Sequence, residues 1–159
     1  MTGTPGMWAF IGIDPGITSG IAWGTYTRYV NRGEWDVHAA SCDGDAMIDL
    51  MMWRIQVYQS AGMPLLLCAE KFVDSNRRPG KQSDHDNTRA WAASSVSMAR
   101  RAGVTCAERS AADVKPFCTD KRLERIGFPL APKLKDARDA GRHLLFGAVK
   151  SGRADDPLL

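Results

Sequence analysis

Apolar positions along this chain fall into short dense runs in the first half and into helical stripes in the second. Trp8 to Ile13 (WAFIGI) is apolar on both alternating parities and ends at Asp14-Pro15-Gly16. That pattern predicts a strand covered on both faces and closed by a sharp turn. Ser19 to Tyr26 (SGIAWGTY) reads as a second strand, and the short link before it implies a hairpin. Gly33 to Ala40 alternates polar and apolar residues, as a more exposed third strand would. Asp43-Gly44-Asp45 then opens a helix with Met47, Leu50, Met51, Ile55 and Tyr58 at helical spacing, ended by Gly62 and Pro64. Leu65 to Phe72 is a buried strand carrying Glu70 near its end.

Asp74 to Asn87 is polar and predicts a loop, followed by a helix over Thr88–Ala102 and a fifth strand over Val104–Glu108. Trp91, Ser95, Met98 and Ala102 make one stripe of that helix, either a dimer face or packing on the sheet. Ser110–Cys118 and Thr119–Ile126 predict short helical pieces capped by Ser110 and Thr119. Lys133–Lys150 predicts the last long helix. The arm 1–6 and the tail 151–159 are expected to be flexible. The order βββαβαβα predicts an α/β fold with a mixed sheet and helices on both faces. With 159 residues and no internal repeat, a single domain over 1–159 is expected.

Charge changes this picture. Residues 1–70 carry three Lys/Arg against seven Asp/Glu, and residues 71–159 carry eighteen against eleven. An acidic half beside a basic half suits a cation site next to a polyanion. No apolar run is long enough for a membrane span, and no secretory leader is seen. Cys42, Cys68, Cys106 and Cys118 lack metal-site spacing and read as reduced thiols of a cytosolic protein.

The candidate chemistry lies in the acids. Asp14 ends an apolar strand, where desolvation is costly unless a cation or hydrogen-bond donors compensate. On the last helix Leu134, Ala137, Gly141, Leu144, Leu145 and Ala148 form the apolar stripe, and Lys135, Arg138 and Arg142 a basic edge. Asp136, Asp139 and His143 share an arc beyond that edge. Solvated Asp–Arg pairs would explain that arc too. If Asp136 and Asp139 meet Asp14 and Glu70, four carboxylates occupy one confined site and need cations to stay ionised. Two divalent ions would balance them, and all-oxygen ligation favours Mg²⁺ or Mn²⁺. His143 reads as a metal ligand, a proton shuttle or a structural histidine. Arg77, Arg78 and Lys81 have the composition of a phosphate-contacting loop.

Phe10-Ile11-Gly12-Ile13-Asp14-Pro15-Gly16, the strand Leu65–Glu70 and Asp136-Ala137-Arg138-Asp139-Ala140 together resemble the RuvC-type Holliday junction resolvases, especially short bacteriophage-encoded ones. The resemblance spans Met7 to about Val149. It implies an RNase H-like five-stranded sheet in the order 3-2-1-4-5, a homodimer and a protein of the (host) cytoplasm. It implies Mg²⁺- or Mn²⁺-dependent nicking, with two ions per site, of four-way junctions and of other branched DNA such as forks or flaps, leaving 5′-phosphate and 3′-hydroxyl ends. Asp14, Glu70, Asp136 and Asp139 match the metal-binding acids. Lys115 matches the segment where the family places a Lys near the scissile phosphate, with Lys121 a weaker match. Lys71, Phe72, Arg77, Arg78 and Lys81 are the expected DNA contacts, Phe72 being either an aromatic at the junction or a core residue. Two other readings stand beside this one: a nucleotide-binding relative of the actin-like ATPases and a catalytically silent junction-binding protein.

Overall fold

The computed structural model describes residues 6–72 and 81–159. Strands β1 (Gly6–Asp14), β2 (Ser19–Arg28), β3 (Gly33–Cys42), β4 (Leu65–Glu70) and β5 (Thr105–Arg109) form one mixed sheet in the order β3-β2-β1-β4-β5. β1, β2 and β3 are antiparallel neighbours, while β4 runs parallel to β1 and β5 parallel to β4. Helices α1 (Gly44–Ser60), α2 (Gln82–Arg101), α3 (Ala111–Val114), α4 (Asp120–Arg125) and α5 (Lys135–Lys150) complete the chain, with a 3₁₀ turn at Pro132–Leu134 before α5.

The two parities of β1 serve two cores, which is why the strand is apolar throughout. Ala9, Ile11 and Ile13 join Ile21, Leu67 and the α1 residues Met47, Met51 and Ile55. Phe10 joins Ala22, Leu66, Cys68 and the α5 residues Ala140, Leu144, Leu145 and Ala148. The α5 stripe thus lies where its periodicity puts it. Asp43 caps α1 by accepting from the Ala46 amide at 2.8 Å, and Gly62 takes a positive φ of 67° just past its end.

Several boundaries differ from those the sequence predicts. β1 already includes Gly6, β2 and β3 each run two residues further, and β4 stops at Glu70 rather than Phe72. α2 starts at Gln82, so Gln82 to Asn87 are helical rather than loop. Their polarity hides the helix. The turns are held by Gln82–Asp86 and Thr88–Asp84 hydrogen bonds across one turn and by Asp84 near the positive end of the helix dipole. Trp91 packs its ring on Gly44 of α1 and donates to Asp45 at 3.2 Å, an intrachain role for the aromatic of the proposed dimer stripe. Ser110 caps α3, whereas Thr119 makes no side-chain cap bond.

The tail is seated rather than frayed. Ala154 is 3 % exposed, the Tyr26 hydroxyl donates to Asp155 at 2.5 Å, and Arg122 grips Asp156 through two nitrogens at 2.9 and 3.0 Å. These partners are distant in sequence, so no local pattern announces them. A chain truncated after Gly152 is expected to melt ~5 °C lower than the full chain. An unchanged melting temperature would show that the tail contributes nothing to the fold.

Candidate active site

The parallel register pairs Ile13 with Ala69, so the next residues, Asp14 and Glu70, stand side by side at the end of the central strands. Asp14 and Glu70 share a side-chain hydrogen bond. The third and fourth acids come from α5, and glycines determine how close that helix lies. A Cβ on Gly12 of β1 would collide with the Ala140 carbonyl oxygen and with Leu144, and one on Gly20 of β2 with the Asp136 carbonyl. Gly20 is also the cross-strand partner of Asp14. The bare backbone at both positions lets α5 lie directly on the sheet with Asp136 and Asp139 facing the strand end.

The electrostatics record that meeting. Burial, the hydrogen bond and charge of Glu70, and then the charges of Asp139 and Asp136 push the Asp14 carboxyl from its ordinary 3.8 up to about 9. At neutral pH, Asp14 is therefore held in its protonated form against Glu70. His143 lies one turn beyond Asp139, is 3 % exposed, and places Nε2 3.8 Å from Glu70 Oε2. Lys115 Nζ is 3.5 Å from Asp139 Oδ2, and Arg142 binds Asp139 Oδ1.

A cavity of about 70 Å³ is lined by Asp14, Pro15, Glu70, Phe72, Thr88 and Ala92. Phe72 thus borders the acids, with the Arg89 guanidinium 5.4 Å from its ring centre. Lys71 is exposed next to Glu70, its amide donating to the Arg109 carbonyl at 2.9 Å. Lys81 is exposed at the N-cap position of α2. Arg77 and Arg78 lie outside the described residues. Of the two lysine candidates, Lys115 reaches the acids, while Lys121 lines a groove with Pro157, Leu158 and Leu159.

Neither a family model nor a curated protein matches the chain. Solved structures do. The Thermus thermophilus RuvC in complex with Holliday junction substrate is similar with a TM-score of 0.61 and 19 % identity, covering 92 % of this chain and 96 % of that one. A second Thermus thermophilus RuvC structure gives 0.60 and 18 %, over 91 % and 96 %. The fold is that of RuvC. On this RuvC fold the strand ends of β1 and β4 and the start of α5 are where the four acids gather.

The donor set fits hard divalent cations. It is all carboxylate, and burial together with the neighbouring acids raises the Asp14 carboxyl pKa, which a bound cation would offset. Among the described residues, no three His, Cys, Asp or Glu side chains are already drawn in to one ligand point. Asp139 is instead turned to Lys115 and Arg142, and Asp14 to Glu70. Sequence reasoning did not find Gly12 and Gly20 as seats for α5, nor the burial of His143 against Glu70. Glycines on neighbouring strands facing a helix with small residues were the available signal for the first. The second depends on a neighbour 73 positions away in the chain and has no local signal.

Proposed function

We propose that this protein is a divalent-metal-dependent endonuclease of branched DNA, of the Holliday junction resolvase type. The observation that carries the reading is the Asp14 carboxyl, buried and pressed by Glu70, Asp139 and Asp136. A structural core has no use for four acids brought together at one strand end, since burial and like charge both disfavour their ionised forms. An actin-like ATPase relative has no role for the pair on α5, and a silent junction binder no role for the cluster.

Asp14, Glu70, Asp136 and Asp139 are the residues that would hold Mg²⁺ or Mn²⁺. Bound there, such cations supply Lewis acidity toward a phosphate oxygen and toward an attacking water, the requirement for in-line hydrolysis to 5′-phosphate and 3′-hydroxyl ends. Cation binding would displace the Asp14 proton to solvent water. Asp139 turns one oxygen from Lys115, and the freed ammonium offsets charge on the nonbridging phosphate oxygens. Phe72 stacks on a base at the branch point. Lys71, Lys81, Arg77 and Arg78 contact phosphates, which position DNA without reading sequence. A two-fold homodimer would place two such sites on opposing strands of a four-way junction. The junction named with the Thermus thermophilus structure supports this choice of substrate.

The test is cleavage of labelled four-way, flap and linear DNA with Mg²⁺, Mn²⁺ or chelator. Paired nicks in the junction, dependent on the metal and absent from linear duplex, are expected. No cutting of any branched DNA with either metal overturns the proposal, and so does equal cutting of linear duplex. In the same preparation, log K for junction binding should fall linearly with log salt, by about 0.9 per phosphate neutralised. A flat salt response would remove the phosphate contacts.

A further inference from the structure

On the basic edge of α5 the two arginines, Arg138 and Arg142, are engaged within the chain. Arg142 is only 18 % exposed, and each nitrogen of its guanidinium is engaged within the chain. Nε donates to the Cys118 carbonyl at 3.1 Å, Nη2 to Asp120 Oδ1 at 2.6 Å, and Nη1 to Asp139 Oδ1. Arg138 reinforces the same anchor, with Nη1 3.5 Å from Asp120 Oδ2 and Nη2 donating to the Leu130 carbonyl at 3.1 Å. A guanidinium held at all three nitrogens is fixed in place and is not free to swing out toward DNA. The planar fork fixes both the place and the plane of what it binds.

The two cations on Asp139 differ. Lys115 is 54 % exposed and meets Oδ2 at 3.5 Å through a flexible stem. Arg142 is tied at two further points, to the segment before α4 and to its first residue. The exchangeable partner is therefore Lys115, and the fixed one is Arg142.

We propose that Arg142, anchored by Asp120 and the Cys118 carbonyl, is a positioning residue that fixes the Asp139 carboxylate for cation binding. It holds Oδ1 in place and leaves Oδ2, which meets the exposed Lys115, to turn toward Asp14. This rests on the metal-dependent reading above. It departs from simple electrostatics in its sign. A cation beside a metal site repels the metal, so removing its charge should tighten binding. A positioning residue does the opposite, because the carboxylate it released would scatter over several orientations.

Isothermal titration of Mn²⁺ into the full chain without DNA separates the two. Arg142→Lys keeps the charge and loses the fork, and Arg142→Gln loses both. Each is expected to weaken Mn²⁺ binding ~10-fold. Asp120→Asn should weaken it too, and should add little on top of Arg142→Lys because both act on one contact. Thermal melts of Arg142→Lys confirm that the folded protein is being titrated. On junction DNA, its kcat should fall with KM unchanged, as a DNA contact would not. Wild-type affinity in Arg142→Lys, or tighter binding in Arg142→Gln, overturns the positioning role alone. Absence of Mn²⁺ binding by the wild type overturns the nuclease reading and this inference with it.

Discussion

Asp14→Asn is expected to abolish strand cutting, by ~10³-fold or more, about 4 kcal/mol of transition-state stabilisation, while making the metal-free protein more stable at neutral pH. Both effects come from one carboxyl. Asp14 is the acid that Glu70, Asp136 and Asp139 surround, and an amide oxygen in its place would not supply the negative charge a cation there would need. The stability effect follows from its proton. Burial and the neighbouring Glu70, Asp139 and Asp136 raise its pKa from 3.8 to about 9 in the folded chain. A raised carboxyl contributes stability that is fully present below about 3.8 and is lost as pH rises through about 9. Between those limits, this group lowers stability by up to ~1.4 kcal/mol per pH unit. Asparagine mimics the neutral acid and removes that slope. Urea unfolding in chelator at pH 5 and pH 8 should therefore show a steeper fall for the wild type than for Asp14→Asn, with the variant ahead at pH 8. Equal slopes would mean that Asp14 does not share a proton with Glu70, and undiminished cutting would remove it from the site. With Mn²⁺ present the wild-type trend should reverse, because cation binding competes with that proton.

Gly12→Ala is expected to damage both fold and site although it adds one methyl group to an apolar strand. The new Cβ would meet the Ala140 carbonyl and the Leu144 backbone, neither of which can move by changing a rotamer. Either α5 lifts from the sheet or the strand bends, at ~2–3 kcal/mol. Because α5 carries Asp136 and Asp139 to Asp14, a lift of even ~1 Å should lower junction cutting ~10²-fold in protein that is still folded. Urea unfolding and cutting, both measured at 20 °C, check the two parts. A variant of wild-type stability and full activity would show that α5 does not depend on the bare backbone of Gly12.

The elements of the fold were largely legible because each has a local signature. β1 is apolar on both parities and Pro-Gly closes it, Asp43 caps α1 with its own side chain, and the α5 stripe recurs at helical spacing. Where local signal failed, the structure was made by partners far along the chain. Gln82 to Asn87 are polar and still helical, and Asp155 and Asp156 of the tail are held by Tyr26, Arg28 and Arg122. Trp91, whose stripe fitted either a dimer face or packing on the sheet, packs on Gly44 and donates to Asp45 of α1 in its own chain.

The candidate site divides in the same way. Asp14 at a strand end, Glu70 at another and the Asp136–Asp139 spacing are properties of short segments, and periodicity alone sets which way each faces. Whether the four meet is a property of neither segment. It depends on the parallel register of β1 with β4 and on how closely α5 lies over Gly12 and Gly20. The same holds for which cations serve Asp139, since Arg142 and Lys115 were equal as charges until Asp120 and Cys118 fixed one and left the other exposed. Chain order thus determined the strands, helices and identities of the acids, through propensity and periodicity that act over a few residues. Tertiary packing alone determined their convergence and the proton on Asp14, because desolvation and Coulomb repulsion depend on distances that only the folded backbone sets.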